Sequence, residues 1–180
     1  KYVPGKGTPE LQEAIIKKFK EDNNLEYLNE NITVGCGGKH IIYNAFSATL
    51  NEGDEVLIPA PYWVSYPDMV ILNDGKPVII KCNEDTGFKL TPEDLEKNIN
   101  PRTKWVMLNS PSNPTGSMYS REELAELGKI LEKYKHVYIL SDDIYEKIVY
   151  EGNIFSTIAE VCPNLKDRTL TMNGLSKSYC

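Results

Sequence analysis

The stretch KWVMLNSPSNPTG, residues 104–116, shows the pattern from which the fold can be predicted. Its first six residues are mostly apolar and predict a buried strand, and a short, rigid, proline-rich loop follows directly. Ser120 and Glu123 then match a capping box, which predicts the start of a helix. The next apolar run, VYILS at 137–141, predicts another strand. A strand, a helix and a second strand in this order are typical of a parallel sheet.

The same alternation continues on both sides of this unit. Further strands are predicted at 32–34, 55–59, 77–82 and 168–172. Helices are predicted at 8–23, 39–50, 64–72, 93–99 and 120–134. The sequence therefore predicts an α/β fold: a three-layer sandwich whose mostly parallel central sheet is covered on both faces, in one domain over residues 1–180.

The composition excludes several classes of function. Hydrophobic residues make up 41% and charged residues 26% of the chain, as in ordinary soluble globular proteins. A net charge of −6 without a basic run argues against a nucleic-acid surface, and no apolar run is long enough to cross a membrane. The four cysteines lack C-x-x-C spacing and the two histidines lie far apart, so the sequence predicts no metal site. Scattered cysteines of this kind favour reduced thiols in a cytosolic protein.

Residues that can do chemistry follow the ends of the predicted strands. These are Gly37, Trp63, Asn113, Asp142 and Lys177. Because ligands of parallel sheets bind beyond the carboxyl ends of the strands, five loops are expected to converge on one crevice.

Each of these residues has an ordinary structural explanation beside the functional one. A glycine-rich turn such as Gly37-Gly38-Lys39 is usually only a turn, but its backbone can approach an anion at a helix N-terminus, and Gly35 is a weaker candidate. Trp63 suits a core position or a platform for a flat ring, and Asn113 suits a turn or an amide donor.

Two charged residues complete this set of candidates. Asp142 ends a buried strand, where a carboxylate either caps a helix or needs a cationic partner. Lys177 is either a solvated surface charge or an amine nucleophile.

Taken together, these motifs resemble the class I aminotransferases of pyridoxal-phosphate fold type I. The resemblance covers nearly the whole chain and is closest to the bacterial aspartate aminotransferase subgroup. It is carried by APYWVSYPDM (60–69), NSPSNPTG (109–116), SDDIYE (141–146) and NGLSKSY (173–179).

The resemblance implies that the chain is an incomplete part of the large, cofactor-binding domain, without the small domain. It also implies pyridoxal 5′-phosphate as cofactor, with these residues binding it: Tyr2, Gly37, Gly38, Lys39, Trp63, Asn113, Asp142, Tyr145 and Lys177. By this resemblance, Lys177 is expected to form the Schiff base and act as general base, and Asp142 to keep the ring nitrogen protonated. Many members have a phosphate-binding serine three residues before the lysine, where this sequence has Gly174.

Tyr145 and Asn113 are expected at the 3-oxygen of the ring, and Trp63 and Asn113 also at the substrate. The resemblance further implies cis bonds at Ala60–Pro61 and Asn113–Pro114. It implies a cytoplasmic homodimer in which Tyr2 reaches the cofactor phosphate of the neighbouring subunit.

The expected reaction is transamination between aspartate and 2-oxoglutarate. Three alternatives stay open: an aminotransferase for prephenate or aromatic substrates, a lyase of the same fold, and an aminotransferase-like domain of a transcription regulator.

Overall fold

A computed structural model of the chain describes residues 4–180. In chain order its elements are α1 (Pro9–Asn23), α2 (Gly38–Thr49), β1 (Glu55–Ala60), α3 (Ser65–Ile71), β2 (Lys76–Lys81), α4 (Pro92–Asn98), β3 (Thr103–Asn109), α5 (Arg121–Lys133), β4 (Tyr138–Asp142), α6 (Ile158–Val161), β5 (Thr169–Met172) and α7 (Leu175–Ser178). Short 3-10 turns lie at Asn29–Asn31, Glu84–Thr86 and Pro163–Arg168. Tyr2 lies outside the described residues.

The five strands form one parallel sheet in the order β2-β1-β3-β4-β5. Successive residues of β1 face opposite sides of this sheet. Leu57 packs in a core with α4, α5 and α6, whereas Val56 and Ile58 pack in a second core with α2 and α3. The predicted three-layer α/β sandwich is therefore confirmed, with a hydrophobic core on each face of the sheet.

Side-chain caps begin two of the long helices, and the second of them was predicted. Thr8 accepts a hydrogen bond from the N–H of Leu11 at 3.3 Å and begins α1. Ser120 and Glu123 exchange both bonds of the capping box at the start of α5, at 2.7 and 3.2 Å. Such caps satisfy backbone N–H groups that the first helical turn leaves free.

The strand predicted at 32–34 is wrong. Within the described residues this segment joins no sheet and follows a 3-10 turn. The side-chain amide of Gln12 donates to the carbonyls of Asn29 and Ile32, at 3.2 and 3.4 Å. These contacts satisfy carbonyls of the segment from α1, so Ile32 is buried without strand pairing.

The side chain of Arg168 fastens α5 to the start of β5. Its guanidinium donates to the carbonyls of Leu131, at 2.6 Å, and Tyr134, at 3.2 Å, close to the end of the helix. It also donates to the carbonyl of Val137. Burial lowers the pKa of this guanidinium from its usual value, and the three carbonyls compensate for part of the lost hydration.

A buried glycine brings α5 close to α6. A Cβ on Gly128 would lie 2.2 Å from Sγ of Cys162, which is a severe overlap. We expect Gly128→Ala to lower the free energy of unfolding by about 1–3 kcal/mol, measured by chemical denaturation. In the Cys162→Ala background, the same Gly128→Ala substitution should lower the free energy of unfolding much less, because the overlapping sulfur is absent. An equal loss in both backgrounds would contradict this explanation.

Candidate active site

A cavity of about 150 Å³ lies at the carboxyl ends of the strands. Its walls come from α2, the loop before α3, the loop after β3, the turn after β4, and α7. Seven of the predicted site residues line it: Gly38, Lys39, Trp63, Asn113, Asp142, Tyr145 and Lys177. Gly37 is the N-cap of α2, directly before this wall.

The carboxylate of Asp142 lies in the interior of the fold with only 4% of the residue exposed. Its Oδ2 accepts a hydrogen bond from the hydroxyl of Tyr66 at 2.5 Å, and its Oδ1 accepts one from the N–H of Ile144 at 3.4 Å. Burial raises the pKa of this carboxyl to about 6, against the opposing effect of the bond from Tyr66. No lysine or arginine among the described residues forms an ion pair with it, so the cavity can accept a cationic group there.

Tyr66 was missed by the sequence reasoning. Its backbone N–H donates to the carbonyl of Trp63 at 3.0 Å, and the two rings meet edge to face with centroids 5.4 Å apart. Burial and the neighbouring carboxylate of Asp142 raise the pKa of its phenol, so the hydroxyl remains a donor. The three-residue spacing from Trp63 is the signal that could have placed both rings at one wall.

Asn109, the last residue of β3, was also missed. Its Nδ2 donates to the carbonyl of Asp142 at 2.9 Å, and its Oδ1 accepts the N–H of Asn113 at 2.8 Å. One side chain therefore joins the ends of two strands to the proline-rich loop. The amide of Asn113 in turn lies 3.4 Å from the hydroxyl of Tyr145.

Two lysines bring their amines into this crevice. Nζ of Lys177 lies 5.6 Å from the ring centroid of Tyr145, and Nζ of Lys39 lies 5.0 Å from the ring of Trp63. Positive charge over aromatic faces is favourable, and both amines can attract an anionic ligand.

The start of α2 provides an anion-binding geometry. Gly37 has φ of +96°, which favours glycine, and a Cβ on Gly38 would lie 3.0 Å from the side chain of Met172. The backbone N–H groups of the first turn point out of the helix start, where the helix dipole places partial positive charge and favours anions.

Both proline loops of the site have the predicted backbone. Ala60–Pro61 and Asn113–Pro114 are cis, as predicted. Ser110–Pro111 is cis as well, which the sequence reasoning did not predict.

Asp143 does not line the cavity, because successive residues along a strand face opposite sides of the sheet. Its Oδ1 accepts a hydrogen bond from Ser141 at 2.7 Å, whereas its Oδ2 is buried without a partner among the described residues. Burial, together with the charges of Asp142 and Glu146, raises the pKa of this carboxyl to about 7.

This shift predicts how stability depends on pH. A carboxyl with a raised pKa binds its proton more tightly in the folded state, so the stability that Asp143 contributes should fall as the pH rises from about 4 to about 7, and Asp142, with a pKa raised to about 6, adds to the same decline. The contribution of Asp143 is about 4 kcal/mol at most, from about 1.4 kcal/mol for each pKa unit. In Asp143→Asn the decline measured by chemical denaturation should flatten, whereas Asp85→Asn, which removes an exposed carboxylate, should keep it. A decline of unchanged slope in Asp143→Asn would contradict the assignment.

Residues 4–180 contain neither a metal-binding cluster nor a membrane-spanning helix. No group of three or more His, Cys, Asp and Glu side chains there is placed to bind a metal ion. None of the helices in that range is long and apolar enough to cross a membrane.

Comparison with known proteins identifies the family. The model of the family described as "Aminotransferase class I and II" matches residues 1–180. The aspartate/prephenate aminotransferase of Cereibacter sphaeroides is 57% identical over 180 residues, which are 100% of this chain and 45% of that protein. The aspartate aminotransferase of Rhizobium meliloti is 52% identical over 99% of this chain and 44% of its own length.

Solved structures agree with these relatives. The crystal structure of the Rhizobium meliloti aspartate aminotransferase has a TM-score of 0.98, with 52% identity over 99% of this chain and 45% of that one. An aromatic aminotransferase from Pyrococcus horikoshii has a TM-score of 0.95 at 36% identity, over 99% of this chain and 48% of that one. The chain thus spans about 45% of the length of the first relatives it matches. The matched family model and the relatives together show that the chain belongs to the class I and II aminotransferase family.

Proposed function

We propose that this chain belongs to an enzyme that transfers the amino group of aspartate to 2-oxoglutarate with pyridoxal 5′-phosphate as cofactor. The observation that carries the proposal is the convergence of Lys177, Asp142, Asn113 and Tyr145 on one cavity. Relatives named aspartate/prephenate aminotransferase favour prephenate as a second oxo-acid substrate.

The residues around the cavity fit this cofactor. The N–H groups of Gly37, Gly38 and Lys39 suit its phosphate, and the face of Trp63 suits its ring. Asp142 is a buried carboxylate without a cationic partner among the described side chains, which suits a protonated ring nitrogen. Asn113 and Tyr145 supply donors for the ring oxygen.

When bound, pyridoxal phosphate supplies an aldehyde that bonds to amines and a ring that accepts an electron pair. Lys177 would hold the cofactor through its amine and then, once freed, take the proton from the α-carbon of the amino acid. Asp142 would keep a proton on the ring nitrogen through its negative charge. Asn113 would also orient the α-carboxylate of the substrate, and Lys39 adds positive charge at the crevice, which favours a dicarboxylic substrate.

The rest of the proposed assembly follows the family. The chain would form part of the large domain of a longer, cytoplasmic enzyme, consistent with its coverage of 45% of the first relatives. The enzyme would be a homodimer in which Tyr2 binds the cofactor phosphate of the partner subunit. Mass measurement of the complete protein in solution tests the dimer.

The function is tested by incubating the complete protein and cofactor with aspartate and 2-oxoglutarate, and following the formation of oxaloacetate and glutamate. Prephenate in place of 2-oxoglutarate tests the second acceptor. Release of ammonia without glutamate would instead indicate a lyase, and an absence of both reactions would overturn the proposal.

A further inference from the structure

The loop before α2 folds around one side chain of that helix. The backbone N–H of Cys36 donates to Nδ1 of His40 at 3.0 Å. Nε2 of the same ring lies 2.9 Å from the side-chain amide of Asn44, one helical turn further on. Both ring nitrogens are therefore engaged, although the ring itself is exposed to solvent.

These contacts define the orientation of the ring. Because Nδ1 accepts the N–H of Cys36, it carries no proton. Nδ2 of Asn44 lies beside Nε2 and helps to hold the ring in place. His40 is thus held as an acceptor for the loop.

The position of His40 resembles that of a capping residue. Gly37 is the N-cap of α2, so His40 is the third helical residue, where glutamate or glutamine commonly accepts a backbone N–H near the cap. Here the imidazole reaches one residue further back, to Cys36. A capping contact of this kind fixes the path of the chain as it enters the helix.

Gly35 is required for this close approach. A Cβ at this position would lie 2.9 Å from Nδ1 of His40 and 2.7 Å from Cδ1 of Ile41. The Ile41 side chain can turn aside, but relieving the overlap with His40 requires the ring or the loop to move, and either movement breaks the bond from Cys36. Gly35 therefore belongs with His40 as part of one local arrangement.

We infer that His40 is a positioning residue for the anion-binding loop, and that its hydrogen bond to Cys36 aims the N–H groups of Gly37, Gly38 and Lys39 at the cofactor phosphate. This inference rests on the proposed function. His40 does not line the cavity, and its Nδ1 already accepts from the loop. Its loss weakens phosphate binding and leaves the reacting groups of Asp142 and Lys177 in place.

The test compares His40→Ala with His40→Gln in the complete protein. Loss of one hydrogen bond that orders the loop should weaken the dissociation constant for pyridoxal phosphate about 3- to 10-fold in His40→Ala. His40→Gln keeps an acceptor and should stay within about 2-fold of the wild type. Turnover at saturating cofactor should be unchanged in both variants. His136→Ala, which removes the other histidine, is the matched control and should bind like the wild type.

Two measurements on the apoprotein report on the loop itself. The amide of Cys36 should exchange its hydrogen faster in His40→Ala than in the wild type and His40→Gln. The affinity for inorganic phosphate should fall in parallel with that for the cofactor. Gly35→Ala should show both changes, because its Cβ displaces the same ring.

The outcomes separate the two proposals. If the wild type binds no pyridoxal phosphate, the proposed function fails. If the wild type binds it and His40→Ala binds it equally well with an unchanged Cys36 amide, the function stands and the role of His40 is refuted. Turnover that falls at saturating cofactor while affinity stays constant also refutes it.

Discussion

Replacing Lys177 with alanine is expected to lower turnover by at least about 1,000-fold. The variant lacks both the amine that would bond to the cofactor and the base that would move the α-proton, and a positioned general base alone contributes about 100- to 10,000-fold. The first measurement is the steady-state transamination rate of the complete protein. The second is borohydride reduction of the protein with cofactor bound. Mass spectrometry of the digested wild type should then find the reduced cofactor on Lys177.

Lys39 provides the matched control for this experiment. It is the other lysine that lines the cavity within the described residues, and its Nζ lies 5.0 Å from the ring of Trp63. Lys39→Ala should bind substrate or cofactor less tightly but should still carry the label on Lys177. A label on Lys39 or on any other lysine of the wild type would exclude Lys177 as the attachment site.

The alternation of strands and helices was enough to predict the architecture. The apolar runs of β1, β3 and β4 place apolar side chains on both sides of the sheet, and the structure has one core on each face. The prediction failed at 32–34, where the pattern is strand-like but the side-chain amide of Gln12 donates hydrogen bonds to the carbonyls of Asn29 and Ile32. A side-chain contact from a residue 20 positions away is not visible in local periodicity.

The candidate site was predictable where function needs a special residue after a strand end. Asp142 and Asn113 stand out because a carboxylate or amide there has few structural partners, and both line the cavity. Tyr66 did not stand out, because a tyrosine inside a short apolar helix looks like a core residue. Its hydroxyl reaches Asp142, 76 positions along the chain, and only the folded structure brings these two together. The chemical roles of all these residues remain predictions.

Replacing Asp142 with asparagine is expected to lower the rate of proton removal from the amino acid by about 1,000-fold or more. The substitution keeps the size of the side chain and an oxygen that can accept from Tyr66, but it removes the negative charge from a site with 4% exposure. A charge in such a poorly hydrated place acts strongly on a nearby ring nitrogen, because little water screens it.

The measurement is the release of deuterium from aspartate labelled at its α-carbon, because this reports proton removal apart from product release. Asp142→Asn should still give the borohydride label on Lys177, since the amine of that lysine is unchanged. Asp143→Asn is the control, because it removes a neighbouring buried carboxylate that lies on the other face of the sheet and accepts a hydrogen bond from Ser141. This variant should exchange the α-hydrogen at nearly the normal rate. Similar losses in the two variants would mean that the effect comes from disturbing the buried strand end and not from a charge at position 142. Near-normal exchange in Asp142→Asn would remove Asp142 from the reaction.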